Sequence, residues 1–146
     1  MSQKEEGETD RVGGLLTRIT VAFEGVPRPR ITKSVARGYD DEWVLSEERV
    51  TELSLLDPEQ KWTEVTEEGV RLFQEYFAFS DADGWRFYLP AHMAFYLKTF
   101  PHYAWGAVYY ACTSPEAKFD SLTPDQLSCV STFLDLIHEE WNRTRS

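Results

Sequence analysis

Phe77-Ala-Phe-Ser-Asp-Ala-Asp-Gly-Trp-Arg-Phe-Tyr-Leu-Pro-Ala91 is the stretch on which the fold of this chain turns. Asp83-Gly84 is a turn signal, because glycine supplies positive φ and aspartate tolerates it. Phe77 and Phe79 lie before that turn, and Trp85, Phe87 and Leu89 lie after it. Both sides alternate with the period of a strand. The reading is a small β-hairpin resting on helices, since an isolated two-stranded hairpin is marginal in water. Pro90 then stands where a helix begins and its missing N–H is not needed. Met93, Tyr96, Leu97 and Phe100 follow at helical spacing, with Ala91, Ala94 and Phe95 on other faces. A helix this apolar all round is a buried one, and Pro101 ends it.

Toward the N-terminus the pattern is amphipathic. Residues 1–9 read as a polar tail. Asp10 is a candidate N-cap for a helix whose inner face is Val12, Leu15, Leu16, Ile19, Ala22 and Phe23, with Gly25 as its stop. Residues 26–38 read as a loop, extended by Pro27 and Pro29. Its basic residues Arg28, Arg30, Lys33 and Arg37 either contact an anion or lie over the acidic segment that follows. Ser46 caps a second helix, with Leu45 and Val50 placed for a hydrophobic staple and Asp57-Pro58 as the stop. Trp62 sits in a short link with its ring expected inward. Thr66 caps a third helix that turns Val70, Phe73 and Phe77 inward.

Toward the C-terminus, residues 102–113 carry Tyr103, Trp105, Val108, Tyr109 and Cys112 on a helix expected to pack on both sides. Ser114-Pro115 breaks it, and Phe119 lies in the loop beyond. Leu122-Thr-Pro-Asp-Gln-Leu127 is the clearest helix start. Thr123 is the cap, Pro124 the first helical residue and Gln126 the other half of a capping box. Leu127, Val130, Leu134, Ile137 and Trp141 mark its apolar face, and residues 143–146 form a polar end. The expectation is a mainly α single compact domain over residues 10–142, with five or six helices and one small central β-hairpin.

With 146 residues, the chain is long enough for one domain with a sizeable core. Apolar residues make up 42% and aromatics 14%, which excludes disorder as the default. There is no apolar run long enough for a membrane span or a signal peptide, so a cytoplasmic location is expected and no membrane partner. Cys112 and Cys129 lack metal or redox spacing and read as buried thiols. The net charge of −10 argues against nucleic acid as a partner. The segment from Asp40 to Glu75 alone holds 12 acids against 3 bases. Such a face either keeps the surface solvated or meets a basic protein.

No phosphate loop, nucleophile elbow or zinc motif is present, and neither a cofactor nor a metal is expected. A cysteine–histidine nucleophile drawn from Cys112 or Cys129 with His92, His102 or His138 is the formal alternative to simple core packing. Asp81 and Asp83 read as turn formers rather than cation ligands. In an alternating strand Arg86 and Tyr88 share a face; Arg86 either pairs with an acid such as Glu75, the favoured reading, or joins Tyr88 and His92 in the one ligand-like constellation, a pocket for an anionic group.

Trp62, then Phe79, Asp81 and Gly84, then Arg86-Phe-Tyr-Leu-Pro-Ala91, and later Phe119 with Leu122-Thr-Pro-Asp-Gln126, together resemble a family of small bacterial proteins known only as a domain of unknown function. Its members share an F-Y-L-P-A core. The resemblance spans roughly residues 12–141. It implies a bacterial source and a single domain, and no catalytic residue, because the family has no agreed activity. His92, just after the motif, is read as particular to this chain.

Two functional classes follow. The first is a non-enzymatic protein-binding module of the immunity-protein or antitoxin kind. It would use Glu47, Glu48 and Glu52 as an acidic face and Trp43 and Trp62 as aromatic anchors, against a basic partner such as a toxin. The second is a binding protein or enzyme for a small anionic ligand at Arg86, Tyr88 and His92. A plainer third reading is a subunit that forms a homodimer through its surplus aromatics.

Overall fold

A computed structural model describes residues 3–101 and 106–145. Among them lie seven α-helices and no strand. They are α1 (Gln3–Ala22), α2 (Lys33–Glu42), α3 (Glu47–Ser54), α4 (Glu67–Leu72), α5 (Ala82–Lys98), α6 (Ala107–Thr113) and α7 (Pro124–Arg145). Two short 3-10 turns, Trp62–Glu64 and Tyr76–Phe79, flank α4.

The expected hairpin is absent, and the hub stretch is the start of a helix instead. Asp81 is the N-cap of α5, its carboxylate accepting from the Gly84 N–H at 2.9 Å. Gly84 is demanded by space rather than by a turn. A Cβ there would sit 2.0 Å from the Ser80 hydroxyl and 2.3 Å from the Tyr76 hydroxyl. The alternation of large residues misleads because α5 is buried on nearly every side. Trp85, Phe87, Tyr88, Leu89, Met93 and Tyr96 are all closed off from solvent. A helix buried all round has no polar face, and a period-2 pattern can be drawn along it by chance. Pro90 lies inside the helix rather than at its first position, so the Arg86 carbonyl lacks its usual intrahelical donor.

α5 is the axle of the molecule, and α1, α4, α6 and the first 3-10 turn all pack on it. α1 runs along both α5 and α7 and buries Leu15 and Ile19, with Phe23 just past its end, as the spacing implies. It begins at Gln3, well ahead of Asp10, and ends before Gly25, which holds φ at +76°. The capping box of α7 is complete. Gln126 accepts from the Thr123 N–H at 2.9 Å, and Thr123 accepts from the Gln126 N–H at 3.2 Å. The Gln126 amide also donates to the Ala22 carbonyl at 2.9 Å, tying the start of α7 to the end of α1. The buried face of α7 is rotated from the expected one. Cys129, Val130, Phe133, Leu136 and Ile137 are inside, whereas Leu127 is exposed. The expected helix over residues 102–113 is seen as α6, and its start at His102, with Tyr103 and Trp105, lies outside the described residues.

The largest correction concerns residues 26–38, read as loop throughout, where α2 begins at Lys33. Its N-cap, Thr32, makes no side-chain capping bond. The cap comes from far along the chain: Asp57 accepts from the Ser34 N–H at 2.9 Å and from the Ser34 hydroxyl at 2.7 Å. A carboxylate there also answers the positive end of the helix.

Candidate functional site

Two regions stand out, at opposite ends of α2. The N-terminal end is a buried polar network that sequence reasoning missed. Lys33 donates to both carboxylate oxygens of Glu59, at 2.7 and 2.9 Å, and lies 3.0 Å from Asp57. Tyr88 donates its hydroxyl proton to Glu59 at 2.8 Å and accepts from the Lys33 N–H at 3.2 Å. Its ring lies 4.4 Å from that of Tyr76, whose hydroxyl donates to the Ile31 carbonyl at 2.6 Å. Arg28 closes the outside, donating to the carbonyls of Ser54 and Asp57 at 2.7 and 2.8 Å and to that of Glu59.

The electrostatics follow from those contacts. Burial alone pushes the Asp57 carboxyl up, but bonds from Ser34 and the nearby Lys33 ammonium outweigh it and hold the group below its ordinary range. Burial, with Glu59 adding to it, pushes the Tyr88 phenol far above its ordinary value. The network is therefore anchored and closed, and its charges answer one another.

The C-terminal end of α2 is the reverse. Trp43 has φ 63° and ψ −47°, and the Val44 N–H donates to the Glu42 carbonyl at 2.7 Å. That is a γ-turn of the rare, strained hand. Trp43 is 85% exposed and Val44 is 84% exposed. Beyond them Ser46 is the N-cap of α3 and accepts from the Arg49 N–H at 3.1 Å, as expected. The inner side of α3 is Val50 and Leu53, of which Leu53 packs closely against Gly38 of α2, and its outer side carries Glu48, Thr51 and Glu52. Leu55 and Leu56, just past its end, are also exposed.

The acids expected as a binding face are all exposed, but they differ in what they do. Glu47 pairs with Arg30, and Arg49 pairs with Glu42 at 3.1 Å and with Glu52 at 3.2 Å. Asp40, Asp41 and Glu48 make no ion pair among the described residues. Of the bases Arg28, Arg30, Lys33 and Arg37, the last three meet carboxylates, whereas Arg28 bonds backbone carbonyls. Besides Arg30 and Lys33, Arg37 pairs with Glu75 at 2.9 Å and stacks on the Phe73 ring at 3.9 Å. Of the two expected anchors, Trp43 stands in solvent. Trp62 is buried, with its indole N–H given to the Phe23 carbonyl at 2.9 Å, so it is a core residue.

Arg86, Tyr88 and His92 are not brought together. In a helix, residues two apart lie about 200° around the axis, so Arg86 points away from Tyr88 instead of sharing its face. Tyr88 is committed to Glu59 and Lys33. His92 is sealed in the core against the Phe77 ring at 4.8 Å, and its Nδ1 has no partner. Burial pushes its pKa down to about 3, so it is neutral at ordinary pH.

Cys112 and Cys129 are free and buried, and burial pushes the Cys112 thiol up to about 12, which leaves no thiolate for nucleophilic attack. His138 instead meets the Tyr109 hydroxyl at 3.0 Å. Among the described residues no group of three metal-ligating side chains converges, and no helix is long and apolar enough to cross a membrane.

The sequence pattern of the family of unknown function DUF6714 matches residues 12–146, and the chain belongs to that family. No curated protein matches the chain, and no solved structure does.

Proposed function

We propose that this member of a family of unknown function is a non-enzymatic protein-binding module that docks a basic partner on the arm formed by α2, α3 and the turn between them. The observation that carries this reading is Trp43. Tryptophan is the residue type that dominates interface energetics. Here it is 85% exposed, and it sits at a backbone angle of φ 63° that costs energy in the free protein. Strain of that kind persists where something other than stability maintains it. Val44 extends the apolar tip, and the exposed, unpaired Asp40, Asp41 and Glu48 add negative charge to the same arm. A partner with an apolar socket rimmed by lysine or arginine complements this surface and is drawn to it at long range. In kind this is the arrangement of an immunity protein or antitoxin that occludes a basic toxin in a bacterial cytoplasm.

The pairing pattern refines which acids matter. Glu47 and Glu52 already answer Arg30 and Arg49, so Asp40, Asp41 and Glu48 are the carboxylates left for a partner. The test is affinity capture from host lysate at low and high salt, read by mass spectrometry. It compares the parent with Trp43→Ser, with the triple change Asp40→Lys, Asp41→Lys and Glu48→Lys, and with Leu127→Gln as a remote control. The reading expects one stoichiometric basic protein, released by high salt, lost from the first two variants and kept by the third. Equal capture by all four proteins, or no partner at either salt, would sink it.

A further inference from the structure

We infer a second binding site, independent of the arm: a cleft between the second 3-10 turn and α6 that takes a small organic cation bearing a flat apolar group. The cleft encloses about 420 Å³, within the range of small-molecule pockets. Phe77 and Trp85 line its inner wall, their rings edge to face with centroids 4.9 Å apart. Ala78 and Ala111 line it with small side chains, and Tyr110, 68% exposed, also lines it.

The polar groups around the cleft decide the charge of its ligand. Most are already committed. Glu75 is held by Arg37 at 2.9 Å, and Lys118 gives its ammonium to the Ser80 carbonyl. Gln74 accepts from the Ala107 N–H at 3.2 Å and donates to the Val70 carbonyl at 2.8 Å. The Trp85 indole N–H is given to the Phe77 carbonyl at 3.0 Å. What remains is the exposed carboxylate of Glu116, which has no ion pair among the described residues, the Tyr110 hydroxyl and the neutral Ser114 hydroxyl, which accepts from the Glu116 N–H at 3.1 Å. An ammonium placed there meets a free carboxylate and aromatic faces, in the field of a chain whose net charge is −10. An anion would have to draw Lys118 off the Ser80 carbonyl while facing Glu75 and Glu116. The sign is thus opposite to that expected for a site at Arg86.

The test uses three probes with one apolar group and three charges: 2-phenylethylammonium, 2-phenylethanol and 3-phenylpropionate, titrated into 15N-labelled protein. A nine-atom cation should saturate with a dissociation constant on the order of 1 mM. Its shifts should centre on the Trp85 indole N–H and the amides of α6, with the alcohol weaker and the carboxylate weaker still by about tenfold. Glu116→Gln, an exposed change that spares the fold, should bring the cation down to the alcohol's affinity and leave the alcohol unchanged. Ala111→Leu should abolish binding of all three by filling the cleft. No saturable shift at Trp85 and α6, equal binding of anion and cation, or a Glu116→Gln variant that keeps its preference for the cation would each overturn the inference.

Discussion

The two ends of α2 invert the usual arrangement of a small protein. At its N-terminal end the inside is polar: Asp57, Glu59 and Tyr88 are buried, Lys33 is partly buried, and each has partners. At its C-terminal end the outside is apolar: Trp43 and Val44 stand in solvent on a strained turn. Buried charge is tolerable only when it is answered, and here the answers come from within the chain. Exposed tryptophan carries no such constraint, so nothing in the fold explains its position. The closed end accounts for itself as structure, whereas the open end leaves something to be met from outside.

The hardest blow to that contrast would come from Lys33→Met. If the network is closed, losing the ammonium leaves two buried carboxylates facing each other, and the cost should be about 3–5 kcal/mol. Urea unfolding at pH 7 measures it. A loss under about 1 kcal/mol would mean that water reaches these groups, and the two ends would no longer differ in kind.

His92 is a buried polar side chain without a partner at Nδ1, and pH exposes it. Its unfolded form takes up a proton near pH 6.5, while the folded form refuses one until about pH 3. Over that window the unfolded state binds more protons, so stability falls as pH falls, by about 3 kcal/mol between pH 6.5 and pH 4. Asp57, held below its ordinary range, adds to the loss only further down, below the usual carboxylate pKa. His92→Leu should flatten the slope between pH 6.5 and 4 and leave the steeper fall below it. A variant with the parent's slope would show that another group titrates there.

How much of this was legible in the sequence depends on how far each signal travels. Ser46, Thr66 and Thr123 cap their helices through bonds to residues three positions on, and each could be read locally. α2 could not, because its cap, Asp57, lies 23 residues beyond Ser34. α5 hid for the opposite reason: burial on nearly every side left too little polar face for a helical period to be recognised. The exposure of Glu47, Glu48 and Glu52 was readable, but the pairing of Glu47 with Arg30 was not, since it depends on where the basic loop comes to lie. Trp43 and Trp62 look alike in sequence, and only packing separates the exposed one from the core one.

A smaller effect tests the packing of the closed region rather than its charges. Gly84→Ala puts a methyl against the Tyr76 and Ser80 hydroxyls, and Tyr76 is not free to move because it is bonded to the Ile31 carbonyl. The cost should be about 1–3 kcal/mol by thermal or urea unfolding, with the helix content of the folded state unchanged. A neutral substitution would show that α5 can slide, and that the hub is looser than its buried rings imply.

The smallest effect has the opposite sign and bears on the open end. Trp43→Gly removes a side chain that makes no buried contact and replaces a strained residue with one that adopts φ 63° freely. Relief of strain works for the folded state, and the extra freedom of glycine in the unfolded chain works against it. The two nearly offset, so the variant should match the parent or gain up to about 1 kcal/mol. A loss of more than about 1 kcal/mol would mean that the indole holds the turn together, and its exposure would then be a by-product of structure. A gain, in a variant that no longer captures the basic partner, would show that the chain carries a less stable turn in order to present that ring.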